Sequence, residues 1–135
     1  MSQVGLRKLL DTSVAVDHLR GLEAASALLE DLAGSEEILA ASELIRFELL
    51  VGMRSGEHDS LEAFCATLEW IPVTQHIVHR AAAYARSYRA SHSGIGVVDY
   101  LLAGTAAEVG ADLLTTNVRH FPMFEGLLPP YDYSD

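Results

Sequence analysis

The sequence has little of several things, and each scarcity removes a class of explanation. A single cysteine, Cys65, excludes an internal disulfide, and nothing in the cysteine usage argues for an oxidising compartment. No run approaches the ~18 consecutive apolar residues of a membrane span, so no membrane association is expected. The opening MSQVGLRKLL contains no long apolar stretch ahead of a small-residue cleavage site, so no signal peptide is expected and the cytoplasm is the expected setting. Positive charge is scarce too, with 9 bases against 19 acids and a formal net charge of −10. Such a balance weighs against nucleic-acid binding, which usually relies on positive potential. Two facts soften that objection. All the bases but Lys8 are arginine, the side chain suited to bidentate phosphate contacts, and acids that ligate a cation lose their electrostatic cost.

The chain has 135 residues, half of them apolar, which suits one compact domain with a real core. It contains no repeat, low-complexity tract or linker. One domain over residues 1–135 is expected, with an irregular tail from about residue 128.

Periodicity and punctuation give an alternating pattern. Leu6–Leu10 reads as a strand running into Asp11, and Thr12 or Ser13 caps a helix to about Arg20, with Gly21 as a break. Leu22–Leu32 reads as a second helix closed by Gly34, and Ile38–Ala41 as a second strand. ELIRFELLVGMR, after Ser42, is a strongly apolar helix. Asp59 and Glu62 stand at capping-box spacing before a helix whose Leu61, Phe64, Cys65 and Leu68 share a face; Cys65 there reads as inert core. Trp70–Val73 is a third strand, near an edge because Pro72 lacks an amide donor. Thr74 caps a long helix with a stripe of Ile77, Ala81, Tyr84, Ala85 and Tyr88. After the SHSGIG loop come a helix over Val98–Val109, closed by Gly110, and a fourth strand over Leu113–Thr116, ending at Asn117. Alternating strands and helices imply α/β architecture, a parallel sheet covered on both faces, with ligands bound outside the carboxyl ends of the strands.

Four polar residues stand out by their neighbours. Asp11 closes an apolar strand. Glu48 has Leu44, Ile45, Val51 and Gly52 three and four positions away, so it is expected to aim into the core side of its helix, where a carboxylate is costly unless paired, protonated or metal-bound. Asp99 is the one charged group in IGVVDYLLAG, and Asn117 follows the last strand. Each also has a plainer reading: a helix cap for Asp11, an ion pair with Arg46 or Arg54 for Glu48, a dipole-favoured acid for Asp99, a turn residue for Asn117. Together they fall at one edge of the expected sheet. Three carboxylates gathered there repel and raise at least one pKa. A hard divalent cation, Mg²⁺ or Mn²⁺, relieves this, and no Cys/His cluster points to zinc.

At LLDTSV, ELIRFELLVGMR, GVVDYLLAGTA and LLTTNVRHFPMF the sequence resembles the PIN-domain family, in particular the VapC-type toxins of bacterial toxin–antitoxin pairs. The four stretches occur in the family's order over about Leu9–Phe124. The resemblance implies a three-layer α/β/α sandwich with a short central parallel sheet, and a metal-dependent endoribonuclease acting on structured RNA such as tRNA or ribosomal RNA. It carries Asp11, Glu48 and Asp99 over as metal ligands and Asn117 as a residue positioning a ligand or water, with Thr115 and Ser13 supporting the carboxylates. Many relatives have a further acid three residues after the asparagine; here His120 stands, which argues for one firm metal site. Asp99 is the expected proton acceptor for an attacking water, giving 5′-phosphate and 3′-hydroxyl ends. Candidate RNA-gripping arginines are Arg46, Arg54, Arg86, Arg89 and Arg119. The implied partners are a VapB-type antitoxin, lying across the pocket and the helix at Leu22–Leu32, and a second copy, meeting the Glu43–Arg54 helix. The alternative is a PIN module that binds RNA or a partner without cutting. A phosphotransfer receiver fails for want of a late lysine and paired acids, a haloacid-type phosphatase because Ser13 replaces its second aspartate, and a dinucleotide fold because GIG does not open a helix after a strand.

Overall fold

In the computed structural model, residues 6–132 are described. The chain order is β1 (Arg7–Leu10), α1 (Thr12–Leu19), α2 (Glu23–Ala33), β2 (Ile38–Ser42), α3 (Glu43–Gly52), α4 (His58–Cys65), β3 (Glu69–Ile71), α5 (Gln75–Tyr88), α6 (Val97–Val109) and β4 (Asp112–Leu114), followed by a 3₁₀ turn at Val118–His120. The strands form one parallel sheet in the order β3-β2-β1-β4, with six helices around it, the expected three-layer α/β/α sandwich.

The order has a direct consequence. From β1 the chain moves outward through β2 to β3, then returns to place β4 on β1's other side. Strand order therefore reverses between β1 and β4, and in open parallel sheets the crevice at such a switch point is where ligands bind. Register pairs Leu10 with Leu114, and the Asp11 N–H extends the ladder to Leu114 O at 3.0 Å. The residues after these two strands are thereby set side by side.

Burial explains the rest. The first residues of β1 and β2 reach the surface, where Lys8 pairs with Glu37 and Asp112, and Arg7 with Glu69. Their later residues, Leu9, Leu10, Ala40 and Ala41, are fully buried under the helices. Close helix contact recurs between α5 and α6, where a Cβ at Gly104 would stand 2.7 Å from Ile77 O and 2.9 Å from Ala81 N. Only hydrogen fits at that crossing. Cys65 is buried, and burial pushes its thiol pKa up, as an inert core thiol requires.

Several expected boundaries shift. The third strand is Glu69–Ile71, ending before Pro72, which lies outside the ladder; it is an edge strand as expected. The fourth is Asp112–Leu114, since at Thr115 the chain leaves the ladder and turns back, with the Asn117 N–H on Thr115 Oγ1 at 3.0 Å. The capping box at Asp59 and Glu62 is absent: α4 begins at His58 after Glu57, without a side-chain cap, so Asp59 lies inside the first turn. The first helix is capped by Asp11 rather than Thr12 or Ser13. Thr74 and Gly110 cap as expected. Residues 128–132 are irregular, and the rest of the expected tail, 133–135, like the opening MSQVG, lies outside the described residues.

Candidate active site

At the switch point a cleft of about 450 Å³ is lined by Asp11, Thr12, Ser13, Glu48, Asp99, Thr116, Asn117 and His120, together with Val16, Asp17 and Val98. The four singled-out residues, from four separate parts of the chain, thus share one cavity.

Asp11 sits deepest, with 7% of its surface exposed. Its Oδ1 accepts the Thr12 N–H at 2.7 Å, and its Oδ2 accepts the Thr115 hydroxyl at 2.6 Å and the Ser13 hydroxyl at 3.2 Å. Each hydroxyl is itself held from the β4 side, Thr115 by the Asn117 N–H and Ser13 by the Thr116 N–H at 3.2 Å. The helix-cap reading of Asp11 and its place in the cleft are therefore both true. Its pKa is raised, chiefly by burial; the three hydrogen bonds oppose the rise, and the charge of Asp99 adds a smaller push upward. The expected rise at one carboxylate is present, with desolvation ahead of repulsion as its cause. No cationic side chain pairs with Asp11 among the described residues.

Glu48 departs from expectation. It is half-buried, not pressed into the core, because the buried positions of α3 are Ile45 and Leu49. Glu48 lies at the edge of that stripe and accepts a hydrogen bond from the Thr12 hydroxyl, tying α3 to α1. It pairs with neither Arg46 nor Arg54; Arg46 binds Glu43 at 2.6 Å and stacks over Trp70. Asp99 stands in the first turn of α6, its Oδ2 accepting the Gly96 N–H at 3.2 Å and lying 3.2 Å from His120 Nδ1. Asn117 is exposed at the cleft edge. His120 is fixed from behind, since its N–H bonds Asn117 O and the next residue, Phe121, is buried in the core.

Among the described residues no three Asp, Glu, His or Cys side chains already converge into a metal-holding group. The carboxylates are engaged by protein groups instead: hydroxyls donate to Asp11 and Glu48, and the Gly96 amide donates to Asp99, which also has the His120 ring 3.2 Å away. The donor chemistry nevertheless suits a hard cation. It offers three carboxylates and an amide, and its deepest member is a buried acid with no counter-charge.

Sequence reasoning missed Thr12 and Asp17, both in the cleft. Along the sequence Thr12 reads only as a cap; its spacing from Glu48 carries no signal, because it depends on how α1 meets α3. None of Arg46, Arg54, Arg86, Arg89 and Arg119 lines the cleft.

The PIN domain family matches residues 8–124. Over 124 residues the chain is 58% identical to Ribonuclease VapC19 of Mycobacterium tuberculosis (strain H37Rv), covering 92% of this chain and 99% of that protein. Ribonuclease VapC10 of the same strain is 42% identical over 123 residues, 91% of this chain and 92% of that protein. A toxin–antitoxin complex from Klebsiella pneumoniae superposes with a TM-score of 0.76 over 93% of this chain and 98% of that one; at 24% identity it speaks to the fold. With four motifs converging at one switch point and relatives of this similarity, the chain belongs to the PIN-domain family, among the VapC ribonucleases.

Proposed function

We propose that this chain is a divalent-metal-dependent endoribonuclease, the toxin of a toxin–antitoxin pair, working as one PIN domain in the cytoplasm on structured RNA such as tRNA or ribosomal RNA. The observation that carries this reading is the shared cleft of Asp11, Glu48, Asp99 and Asn117, with Asp11 buried and, among the described residues, without a cationic partner. The names of the relatives VapC19 and VapC10 support ribonuclease activity.

Asp11, Glu48 and Asp99 would hold Mg²⁺ or Mn²⁺, which when bound supplies charge neutralisation for RNA approach and Lewis-acid activation of phosphate and water. The chain's own groups do the rest. Thr115 and Ser13 fix the Asp11 carboxylate from one side and the Thr12 N–H from the other, so it is oriented before substrate arrives. Asp99, the more accessible acid, takes the proton of the attacking water once His120 yields its contact. The Asn117 amide, exposed at the edge, holds a phosphate oxygen in place. Water as nucleophile leaves a 5′-phosphate and a 3′-hydroxyl.

Two surfaces support the expected partners. A groove of about 920 Å³ runs between α2 and α4, floored by Leu29, Leu32, Phe64 and Leu68, and it suits an amphipathic segment of a VapB-type antitoxin. On α3, Phe47, Leu50 and Val51 are exposed, an apolar face that suits a second copy. No helix among the described residues is long and apolar enough to cross a membrane.

The test is to incubate partner-free protein with total RNA and Mg²⁺ or Mn²⁺, beside EDTA and Asp99→Asn controls. Discrete 5′-phosphate fragments in the first lane, reduced ~100-fold or more in the controls, are expected. Intact RNA throughout, from a protein that still binds Mn²⁺, would support a binding module in place of a nuclease.

A further inference from the structure

Beside the carboxylate cleft lies a second, smaller cavity of about 80 Å³, and Val16 and Glu48 line both. Its walls are aliphatic, formed by Val16 and Leu19 of α1, Leu49 of α3, Met53 just after it and Leu61 of α4. Besides Glu48 on the wall shared with the cleft, and Ser60, two charged groups stand at this slot. Arg20 Nη1 donates to Glu57 Oε2 at 2.6 Å, and Glu57 Oε1 accepts the Arg54 N–H at 2.7 Å. Glu57 is thus clamped through both oxygens, and these bonds, the Arg54 amide foremost, hold its pKa below the ordinary carboxylate range. It remains ionised and fixes Arg20. The guanidinium uses one N–H on Glu57, and its remaining donors have no protein acceptor among the described residues.

The chemistry of such a slot is selective. Aliphatic walls take the face of a flat ring, and fixed donors at the rim take an acceptor edge. A phosphate is a poor occupant, because Glu57 offsets the charge of Arg20 and the walls offer no other cation. Guanine presents O6 and N7 side by side, the pair that an arginine fork meets bidentately, whereas adenine and the pyrimidines present no such pair.

We propose that the mouth of this cavity, which at about 80 Å³ is too small to enclose a whole purine, seats an unstacked guanine next to the bond that is cut, one face across Val16, Leu19 and Met53 and its O6/N7 edge on Arg20. This rests on the ribonuclease reading and adds to it a base preference and the residue that sets it.

The experiment uses full-length, partner-free protein with Mn²⁺ and a randomised single-stranded RNA pool, with the 5′-phosphate ends sequenced. Wild type is compared with Arg20→Lys, which keeps the charge and the pairing to Glu57 but loses the fork, and with Arg20→Met. Wild type is expected to enrich guanine at one position within a nucleotide or two of the cut, and both variants to lose that enrichment. On a defined oligonucleotide, inosine at that position should be cut like guanine, while 7-deazaguanine, lacking the N7 acceptor, should lower kcat/KM ~10- to 100-fold for wild type and leave the variants unaffected. Unchanged enrichment in the variants, or 7-deazaguanine cut as fast as guanine, overturns the proposal. So does a result in which the Arg20 variants weaken only antitoxin capture, which would give the cavity to the partner interface. Should wild type cut nothing, the nuclease reading fails separately. The slot is then judged by binding of the same oligonucleotides to the Asp99→Asn protein, where an Arg20-dependent preference for guanine over 7-deazaguanine sustains it and equal binding overturns it.

Discussion

The Thr115 hydroxyl, fully buried, donates to Asp11 Oδ2 at 2.6 Å while accepting the Asn117 N–H at 3.0 Å. One side chain therefore couples the end of β1 to the turn after β4, across the switch point at which the cleft opens. Thr115→Val keeps the shape and removes both bonds. A hydrogen bond to a charged group contributes ~1.5–3 kcal/mol, so a loss of about that size is expected in urea unfolding. Because this bond holds the Asp11 pKa down against burial, its removal should also move the acid limb of the cleavage pH profile to higher pH. A stable Thr115→Val protein with an unmoved limb would show that Thr115 does not control the charge of Asp11.

Asp11 itself should trade stability for function. Its pKa is raised in the folded protein, so the folded state binds a proton more readily than the unfolded one. The ionised group then costs stability at every pH above its raised value, and the cost is relieved as pH falls through that value. In metal-free buffer near pH 7.5, Asp11→Asn should melt higher than wild type and cleave nothing. Mg²⁺ should raise the wild-type Tm and leave the variant's unchanged. A variant that melts lower without metal would mean that the hydroxyl bonds outweigh burial.

What could be read from the sequence, and what could not, divides along a physical line. Asp11 stands out in the sequence because it closes an apolar strand, and Asn117 because it follows the last one, and parallel topology places such positions at one edge. Glu48 is singled out by a signal that the structure does not bear out, since it lies at the edge of the buried stripe and not in the core. Its helix is apolar nearly all round, with Ile45 and Leu49 inward and Phe47, Leu50 and Val51 outward, so apolar neighbours could not tell the core face from a face open to solvent. Strand β4 reads two residues too far because Thr115 and Thr116 favour strands locally, while their hydrogen bonds to Asp11 and Ser13 take the chain out of the ladder. Arg20 carried no signal, since its partner Glu57 lies 37 positions away, a separation that no local pattern spans.

The α5–α6 crossing should be intolerant of a single methyl group. A Cβ at Gly104 meets backbone atoms, Ile77 O and Ala81 N, both under 3.0 Å away, so no rotamer change can relieve it. Gly104→Ala gains ~1 kcal/mol of helix propensity and incurs overpacking of ~1–3 kcal/mol. A net destabilisation is expected by thermal or urea unfolding. Asp99 lies on the same helix, so cleavage should also fall as α6 shifts. A Gly104→Ala protein of unchanged stability would show that the two helices can separate without penalty.

The outward face of α3 should govern self-association. Phe47 is 67% exposed and Val51 70% exposed, four positions apart on one side of the helix, with Leu50 beside them at 44%. Burying a large apolar side chain contributes ~1.5–3 kcal/mol, so Phe47 and Val51 from both copies contribute ~6–12 kcal/mol before the cost of association, the scale of the ~8 kcal/mol of a micromolar dimer. The double substitution Phe47→Lys, Val51→Glu should turn a dimer into a monomer in light scattering at micromolar concentration. Both positions are exposed in the single chain, so the fold itself should change by no more than ~0.5 kcal/mol, which separates loss of association from loss of structure. Were wild type monomeric at these concentrations, or the double variant still dimeric, α3 would not be the contact, and its exposed apolar residues would need another occupant.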